Sequence, residues 1–264
     1  MASPSSQSAD AKSLLLASQN EGNLSKTSAH ILVVDDIANR INAGLGNPAI
    51  NVAASEVTLV NTLIDDSGSI RMVAGNCEAV RTGHNLILES LGGAKANEGM
   101  QAMCMYLNGT QLYDYRPLSG AIKMEPSNYD PDGGTPLYDQ SVVFLGTVLA
   151  KLQEFTNIGV PAKSISLIVT DGADQHSRKH SASDVASLVD DLLRQENHIV
   201  AFMGISDGRT DFRGIARDMG IRDEWILTPG NTQSEIRKAF GLFSQSAVKA
   251  SQAGNFSGVG GFGG

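Results

Sequence analysis

Three short segments of the sequence carry side chains that could bind a metal ion. DDSGS supplies Asp65, Ser67 and Ser69, GGTP supplies Thr135, and TDG supplies Asp171. Carboxylate and hydroxyl oxygens are the ligands that Mg²⁺ prefers, and it takes about six of them, some from water. Two carboxylates with three hydroxyls therefore suit a Mg²⁺ site, provided that the three segments meet.

The spacing of the first segment separates its two adjacent acids. Where a chain turns from a strand into a helix, Asp65, Ser67 and Ser69 can converge only if these alternate positions face inward. Asp66 then faces away, and Gly68 keeps the turn uncrowded.

The segments lie in a chain that alternates strand and helix patterns. The apolar runs VTLVNTLI (57–64) and ISLIVT (165–170) predict strands, and helical patterns follow them. MQAMCMYL (100–107) predicts another strand, and NGT then favours a hairpin or edge strand toward residues 121–123. Buried strands separated by helices predict an α/β fold, doubly wound around a mainly parallel sheet with helices on both faces. Ligands bind such folds beyond the carboxyl ends of the strands, where Asp65 lies.

In this order and on these elements, DDSGS, GGTPLYD and the strand ending in TDG resemble the von Willebrand factor A family with its metal-ion-dependent adhesion site. The resemblance covers about Ser55 to Ala250 and implies a Rossmann-like von Willebrand factor A fold. The metal residues that it implies are Asp65, Ser67, Ser69, Thr135 and Asp171. The hydroxyls are expected to bind Mg²⁺ or Mn²⁺ directly or nearly so, and the carboxylates directly or through water. The implied mechanism is adhesion, in which a Glu or Asp of a protein partner fills an open metal position.

Charge and composition limit the classes of partner. The chain of 264 residues has 20 basic and 28 acidic residues, without a block of Lys or Arg. This balance argues against nucleic acid and anionic membranes as partners. No apolar run reaches the roughly 18 to 20 residues that cross a bilayer, and no signal peptide is visible. We therefore expect a soluble, cytoplasmic protein.

A single-domain chain without an export signal resembles the intracellular prokaryotic members of the family. These serve as adaptors, which implies an AAA+ ATPase or a kinase and phosphatase system as partners. The closing helix, AFGLFSQSAVKAS, is similar to that of tellurium-resistance-associated members.

Four regions are predicted along the chain. Residues 1–29 are rich in Ser, Ala, Gln and Asn and predict a disordered arm. Residues 30–54 are interpreted as an extra strand or docking segment, with the strand at Ile31 to Asp35. Residues 55–250 form the von Willebrand factor A domain, and the Gly-rich residues 251–264 predict a flexible tail.

Other interpretations of the three segments stay open. Asp65, Ser67 and Ser69 could cap a helix without any ligand. A Mg²⁺-dependent phosphatase or phosphotransferase would use Asp65 as nucleophile, but it needs a second acid where this chain has Ser67, and no well-placed Lys accompanies TDG. A scaffold subunit would hold a metal that binds no partner.

Further motifs give weaker indications. HILVVDDIANR (30–40) resembles the opening of a receiver domain, but too little chain follows before Asp65 for the elements needed. The GxGxxG at Gly258 lacks a following helix that could bind a phosphate. His176 and His180 are four residues apart, which suggests zinc, but their polar loop makes solvated histidines the better expectation.

Overall fold

A six-stranded sheet forms the centre of the computed structural model, which describes residues 10–94, 99–253, 256 and 259–262. The strands are Val57–Ile64 (β1), Met100–Tyr106 (β2), Gln111–Pro117 (β3), Ala162–Thr170 (β4), His198–Gly204 (β5) and Ile226–Leu227 (β6). The helices are Ala11–Asn20 (α1), Lys26–Leu32 (α2), Asp35–Gly44 (α3), Gly68–Met72 (α4), Asn76–Gly92 (α5), Leu137–Asn157 (α6), Ala182–Leu193 (α7), Phe212–Asp218 (α8) and Gln233–Gln252 (α9).

The sheet confirms the predicted fold class. Its strand order is β3-β2-β1-β4-β5-β6, and all neighbours are parallel except β2 and β3. Every residue of β1 is buried, because helices cover both faces of a parallel sheet. β1 pairs with β4 so that Ile64 lies opposite Val169, which places the carboxyl ends of the two strands side by side.

The helices form a layer on each face of the sheet. α5 packs against α9, whereas α6 packs against α7, β1 and β4. Right-handed crossovers put α5 and α7 on opposite faces, since β1 to β2 and β4 to β5 run in opposite directions along the sheet. Within the described residues, no helix combines the length and the apolar character needed to cross a bilayer.

The hairpin that NGT predicts is present, but its second strand lies earlier than expected. β3 occupies Gln111–Pro117 and pairs antiparallel with β2, so residues 121–123 come after the strand.

The prediction of a disordered arm is wrong for residues 10–29. α1 and α2 pack on α6 and α7, with Leu14 and Leu15 buried. The segment is polar in composition, but α1 has a narrow buried face. This face consists of Ala11, Leu14, Leu15 and the small Ser18. Residues 1–9 lie outside the described residues.

The strand predicted at Ile31 to Asp35 is also wrong. α2 ends at Leu32 and α3 begins at Asp35, so the apolar run is divided between two helices. Ser25 caps the start of α2, and its hydroxyl accepts a hydrogen bond from the Ser28 N–H. The same Ser25 donates from N and Oγ to Asp191 of α7, both at 2.9 Å, which ties the start of α2 to the domain.

Residues 46 and 47 cover part of the β3 edge. The Asn47 N–H donates to the Tyr115 carbonyl at 2.7 Å. Gly46 has a φ of +54°, and a Cβ there would lie 2.2 Å from the same carbonyl oxygen. Glycine is required by both the backbone conformation and the close approach. This contact blunts a strand edge that could otherwise pair with another chain.

A buried charge anchors the same segment to α6. Lys151 is fully buried, and its Nζ donates to the Leu45 carbonyl at 3.0 Å and the Asn47 carbonyl at 2.5 Å. It also pairs with Glu154 at 2.8 Å. These contacts satisfy an ammonium group whose burial would otherwise be costly. The two carbonyl contacts exist only when residues 45–47 lie against α6.

The flexible-tail prediction is wrong for the part of the tail that is described. α9 continues to Gln252, and Phe256 is buried. The ring of Phe262 meets that of Trp225 edge to face at 5.2 Å, and its N–H donates to the Glu224 carbonyl. Aromatic burial outweighs the freedom of the glycines here. Residues 254–255, 257–258 and 263–264 lie outside the described residues.

Two adjacent leucines of α1 test this packing. Leu15→Ala should lower the free energy of unfolding by about 2 to 5 kcal/mol, because it leaves a cavity under α1. Leu16 is 44% exposed, so Leu16→Ala should change the free energy of unfolding by no more than about 0.5 kcal/mol. Urea unfolding followed by circular dichroism measures both. Equal, small effects would contradict the packing of α1.

Candidate functional site

Three loops meet at the carboxyl ends of β1 and β4. We call residues 65–69 the first loop, 132–136 the second and 170–176 the third. The Gly68 N–H donates to the Gly133 carbonyl, and the Gly133 N–H donates to the Asp66 carbonyl, each at 3.0 Å. The Asp65 N–H donates to the Val169 carbonyl, also at 3.0 Å. The first loop is therefore bonded to the second loop and to the end of β4, which leads into the third loop.

Asp65 lies beneath the site and is fully buried. Its Oδ1 accepts from the Ser67 N–H at 2.7 Å. Its Oδ2 accepts from the Thr170 hydroxyl at 2.7 Å and from the Asp171 N–H at 3.3 Å. Burial raises the pKa of Asp65, while these hydrogen bonds oppose the rise. The carboxylate thus fixes the first loop against the third.

Asp171 lies above Asp65 with the two serines. Its Oδ1 accepts from the Ser69 hydroxyl at 2.6 Å, and the Ser67 hydroxyl lies 3.4 Å away. The two serine hydroxyls are 2.9 Å apart. Burial raises the pKa of Asp171 to about 6, a rise that the Ser69 hydrogen bond opposes and the charge of Asp65 increases. A cation held here would stabilise the ionised carboxylate.

Thr135 completes the group from the second loop. It is buried, and its N–H donates to Nδ1 of His176 at 2.9 Å. A Cβ at Gly172 would lie 3.6 Å from the Thr135 hydroxyl, so this oxygen lies close to the third loop.

A cleft of about 500 Å³ opens over these residues. Its described lining includes Ser67, Ser69, Thr135 and Asp171, with Asp65 behind them, and it includes no Lys or Arg. The structure therefore brings the predicted residues together. That they bind a metal ion stays a prediction.

The donor set fits a hard divalent cation. Two carboxylates and three hydroxyls offer oxygen alone, as Mg²⁺ and Mn²⁺ prefer. In the part of the chain that the structure describes, no group of three or more His, Cys, Asp and Glu side chains could hold a metal ion. Beside the two carboxylates, the hydroxyls are the side-chain oxygens of the predicted set, and water can supply the remaining ligands.

The two histidines of the polar segment after TDG make hydrogen bonds with different residues. His176 uses Nδ1 to accept from Thr135, so it is not simply solvated as expected, although its side chain is exposed. His180 lies further along the chain, where its N–H donates to Asp139. The polar segment is instead bonded to the start of α6.

Asp66 faces away from the other residues, as the spacing predicts. Its Oδ1 accepts from the Asn108 N–H at 2.9 Å, at the turn between β2 and β3. Burial raises its pKa to about 6, the Asn108 hydrogen bond opposes this, and the charge of Asp65 adds to it. The adjacent acids thus serve different loops.

Sequence reasoning missed three residues that shape the site. The Thr170 hydroxyl donates to Asp65. Thr170 stands directly before Asp171 in TDG, and this position is a sequence signal for its place in the site. Tyr129 donates from its hydroxyl to the Asp65 carbonyl at 2.7 Å. Tyr129 and His176 lie in turn-rich or polar segments, where periodicity gives no signal.

Three solved structures are similar to this chain. The pilus adhesin SpaC from Lactobacillus rhamnosus GG, in its open conformation, matches 77% of this chain and 31% of its own at 15% identity, with a TM-score of 0.52. A von Willebrand factor type A structure from Catenulispora acidiphila covers 74% of this chain and 43% of its own at 15% identity, with a TM-score of 0.48. The manganese-loaded TRAP protein of Plasmodium vivax covers 71% of this chain and 74% of its own at 18% identity, with a TM-score of 0.43.

This chain thus spans about a third of the length of the adhesin. At these identities the likeness concerns the fold alone. Searches against family models and curated proteins give no match.

The adjacent acids give a matched pair of variants. Asp65→Asn should weaken Mn²⁺ binding about 10- to 100-fold, because its amide nitrogen cannot accept the hydrogen bonds that orient the loops. Asp66→Asn should be mild, since an amide oxygen can still accept from Asn108. Isothermal titration calorimetry measures both, with circular dichroism as the folding control. The reverse ranking would overturn the assignment of the two acids.

The raised pKa of Asp171 predicts a pH dependence for the metal-free protein. The folded state keeps a proton up to about pH 6, which the unfolded state releases near pH 4. This carboxyl therefore adds stability that is fully present below pH 4 and is lost as the pH rises through 6. Urea unfolding in EDTA measures the free energy of unfolding at pH 5 and at pH 7.5. Between these two pH values it should fall more for wild type than for Asp171→Asn. An equal loss in both proteins would contradict the raised pKa.

Proposed function

Because the chain has the von Willebrand factor A fold, we propose that it is a metal-dependent protein-interaction module. The chain holds Mg²⁺ or Mn²⁺ with side chains of all three loops and thereby binds a Glu or Asp of a protein partner. The metal residues are Asp65, Ser67, Ser69, Thr135 and Asp171. The observation that carries this proposal is their convergence at one cleft, with four of them in its lining and Asp65 behind.

The charges of the site favour an anionic ligand. A bound divalent cation would supply an electrophilic position for a carboxylate. Asp65 and Asp171 together carry no more than the two negative charges that balance the cation, and the hydroxyls add none. If one carboxylate binds through water, the metal remains electrophilic toward a third carboxylate. The described lining of the cleft includes no Lys or Arg. The positive charge that attracts a partner carboxylate would therefore come from the metal ion.

The geometry argues against Asp65 as a catalytic nucleophile. Both its oxygens accept hydrogen bonds, and the side chain is fully buried behind the cleft lining. A nucleophile must reach the substrate directly, which the buried Asp65 cannot do, whereas a carboxylate can act on a metal ion through water. Ser67 also stands where a phosphotransferase of this type needs its general acid. These observations support binding over phosphoryl transfer.

The rim of the cleft offers apolar surface to a partner. Met72, at the end of α4, is 86% exposed, and Val73 beside it is half-buried. Both belong to the cleft lining. A flexible thioether adapts to varied partner surfaces, which suits an adaptor. The adhesin SpaC, whose fold is similar, is an adhesin by name.

The class of partner follows from the resemblance of the sequence. We propose that the protein acts as an adaptor inside the cell, where its partner belongs to an AAA+ ATPase or to a kinase and phosphatase system. The acidic balance of the chain makes nucleic acid and anionic membranes poor partners.

Metal titration and partner capture test the proposal together. Mn²⁺ or Mg²⁺ at 100 times its Kd should raise the free energy of unfolding of wild type by about 2.7 kcal/mol. Asp171→Ala should remove this gain and should abolish partner capture in a pull-down read by mass spectrometry. A chelator should release the same partners from wild type.

Asp190→Ala provides the matched control, because it removes an exposed carboxylate of α7 outside the cleft. This variant should keep both the metal response and the capture. Partner capture that survives Asp171→Ala unchanged would refute adhesion through the metal and favour a scaffold. Phosphate ester turnover with Mg²⁺ that Asp65→Asn abolishes would favour an enzyme.

A further inference from the structure

His176 holds Thr135 through the backbone of the second loop. The Thr135 N–H donates to Nδ1 of His176 at 2.9 Å. The Thr135 carbonyl accepts from the Gln175 N–H at 3.1 Å and from the His176 N–H at 3.4 Å. The N–H of Thr135 is therefore bonded to His176, and its carbonyl to both Gln175 and His176.

The imidazole ring also packs against the residue before Thr135. A Cβ at Gly134 would lie 2.8 Å from Nδ1 of His176 and 2.9 Å from its Cε1 and Cγ. Glycine at this position lets the ring lie directly on the backbone of the second loop. The hydrogen bond and the contact together restrict where that backbone can lie.

The segment that carries His176 is itself anchored to α6. Asp174 accepts from the Tyr138 N–H at 3.3 Å, and the Ser177 hydroxyl accepts from the Asp139 N–H at 3.0 Å. These residues flank His176 and bind N–H groups in the first turn of α6, which have no partner inside the helix. The ring is thus presented by an anchored segment.

The hydrogen bond from Thr135 defines the tautomer of His176. Because Nδ1 accepts from an N–H group, it must carry a lone pair, and the ring proton must lie on Nε2. Alanine cannot make this bond. Asparagine can, since its Oδ1 takes a place similar to that of Nδ1.

We propose that His176 is a positioning residue of the metal centre, which places the Thr135 hydroxyl through the hydrogen bond to the Thr135 N–H. This inference rests on the proposed function, because it assigns Thr135 to the metal. His176 itself does not contact the metal in this proposal. It acts only through its contacts with the backbone of the second loop.

Metal affinity gives the first test. His176→Ala should weaken Mn²⁺ binding about 10-fold or more, as the loss of a group that orients a ligand does. His176→Asn should restore most of the affinity. His30→Ala, which removes an exposed histidine of α2, should bind Mn²⁺ like wild type. His176→Ala with wild-type affinity, or His176→Asn as weak as His176→Ala, would overturn the proposal.

A metal-free measurement separates this proposal from the proposed function. By NMR in EDTA, His176 should carry its proton on Nε2, and the Thr135 amide should be protected from hydrogen exchange. His176→Ala should speed exchange at Thr135, and His176→Asn should slow it again. A proton on Nδ1, or equal exchange in all three proteins, overturns the role of His176. Wild type that fails to bind Mn²⁺ refutes the proposed function instead.

Discussion

The buried carboxylate of Asp65 is the constraint on which the rest of the site depends. An ionised group without solvent is tolerated only where donors surround it. Asp65 finds them in the Ser67 N–H, the Thr170 hydroxyl and the Asp171 N–H, which belong to two separate loops. The parallel pairing of β1 with β4 brings these donors within reach. Misplacement of either loop would leave the carboxylate short of a partner, so the fold and the geometry of the site are coupled.

The remaining loop is positioned by a different kind of contact. Its backbone bonds to the first loop through Gly68 and Gly133, and to the third through Thr135 and His176. The hydroxyls of the site consequently lie on backbone that is held from both sides. Such an arrangement needs little rearrangement on binding, and groups that are already in place lose less conformational entropy. Met72, by contrast, is an exposed side chain on the rim and remains free to adapt.

The sequence predicts the sheet and the metal residues because both leave local signals. Apolar runs identify β1 and β4, and the motif positions at their ends are then brought together by the topology of a parallel sheet. The contact of His176 with Thr135 joins positions 41 residues apart through a polar loop without periodicity. α1 was missed because its apolar stripe is narrow within a polar composition. The aromatic contact of Phe262 with Trp225 depends on where α9 returns the chain, which no local pattern specifies.

The segment at residues 45–47 has a bearing on how the protein can be shortened. The resemblance to the family begins near Ser55, and a chain that starts there would look complete by pattern alone. It would, however, leave the ammonium of Lys151 without two of its carbonyl partners inside the protein. It would also expose the β3 carbonyl of Tyr115 to neighbouring molecules. The expected result is a poorly soluble fragment that self-associates along this strand, so the smallest autonomous unit includes residues 45–47.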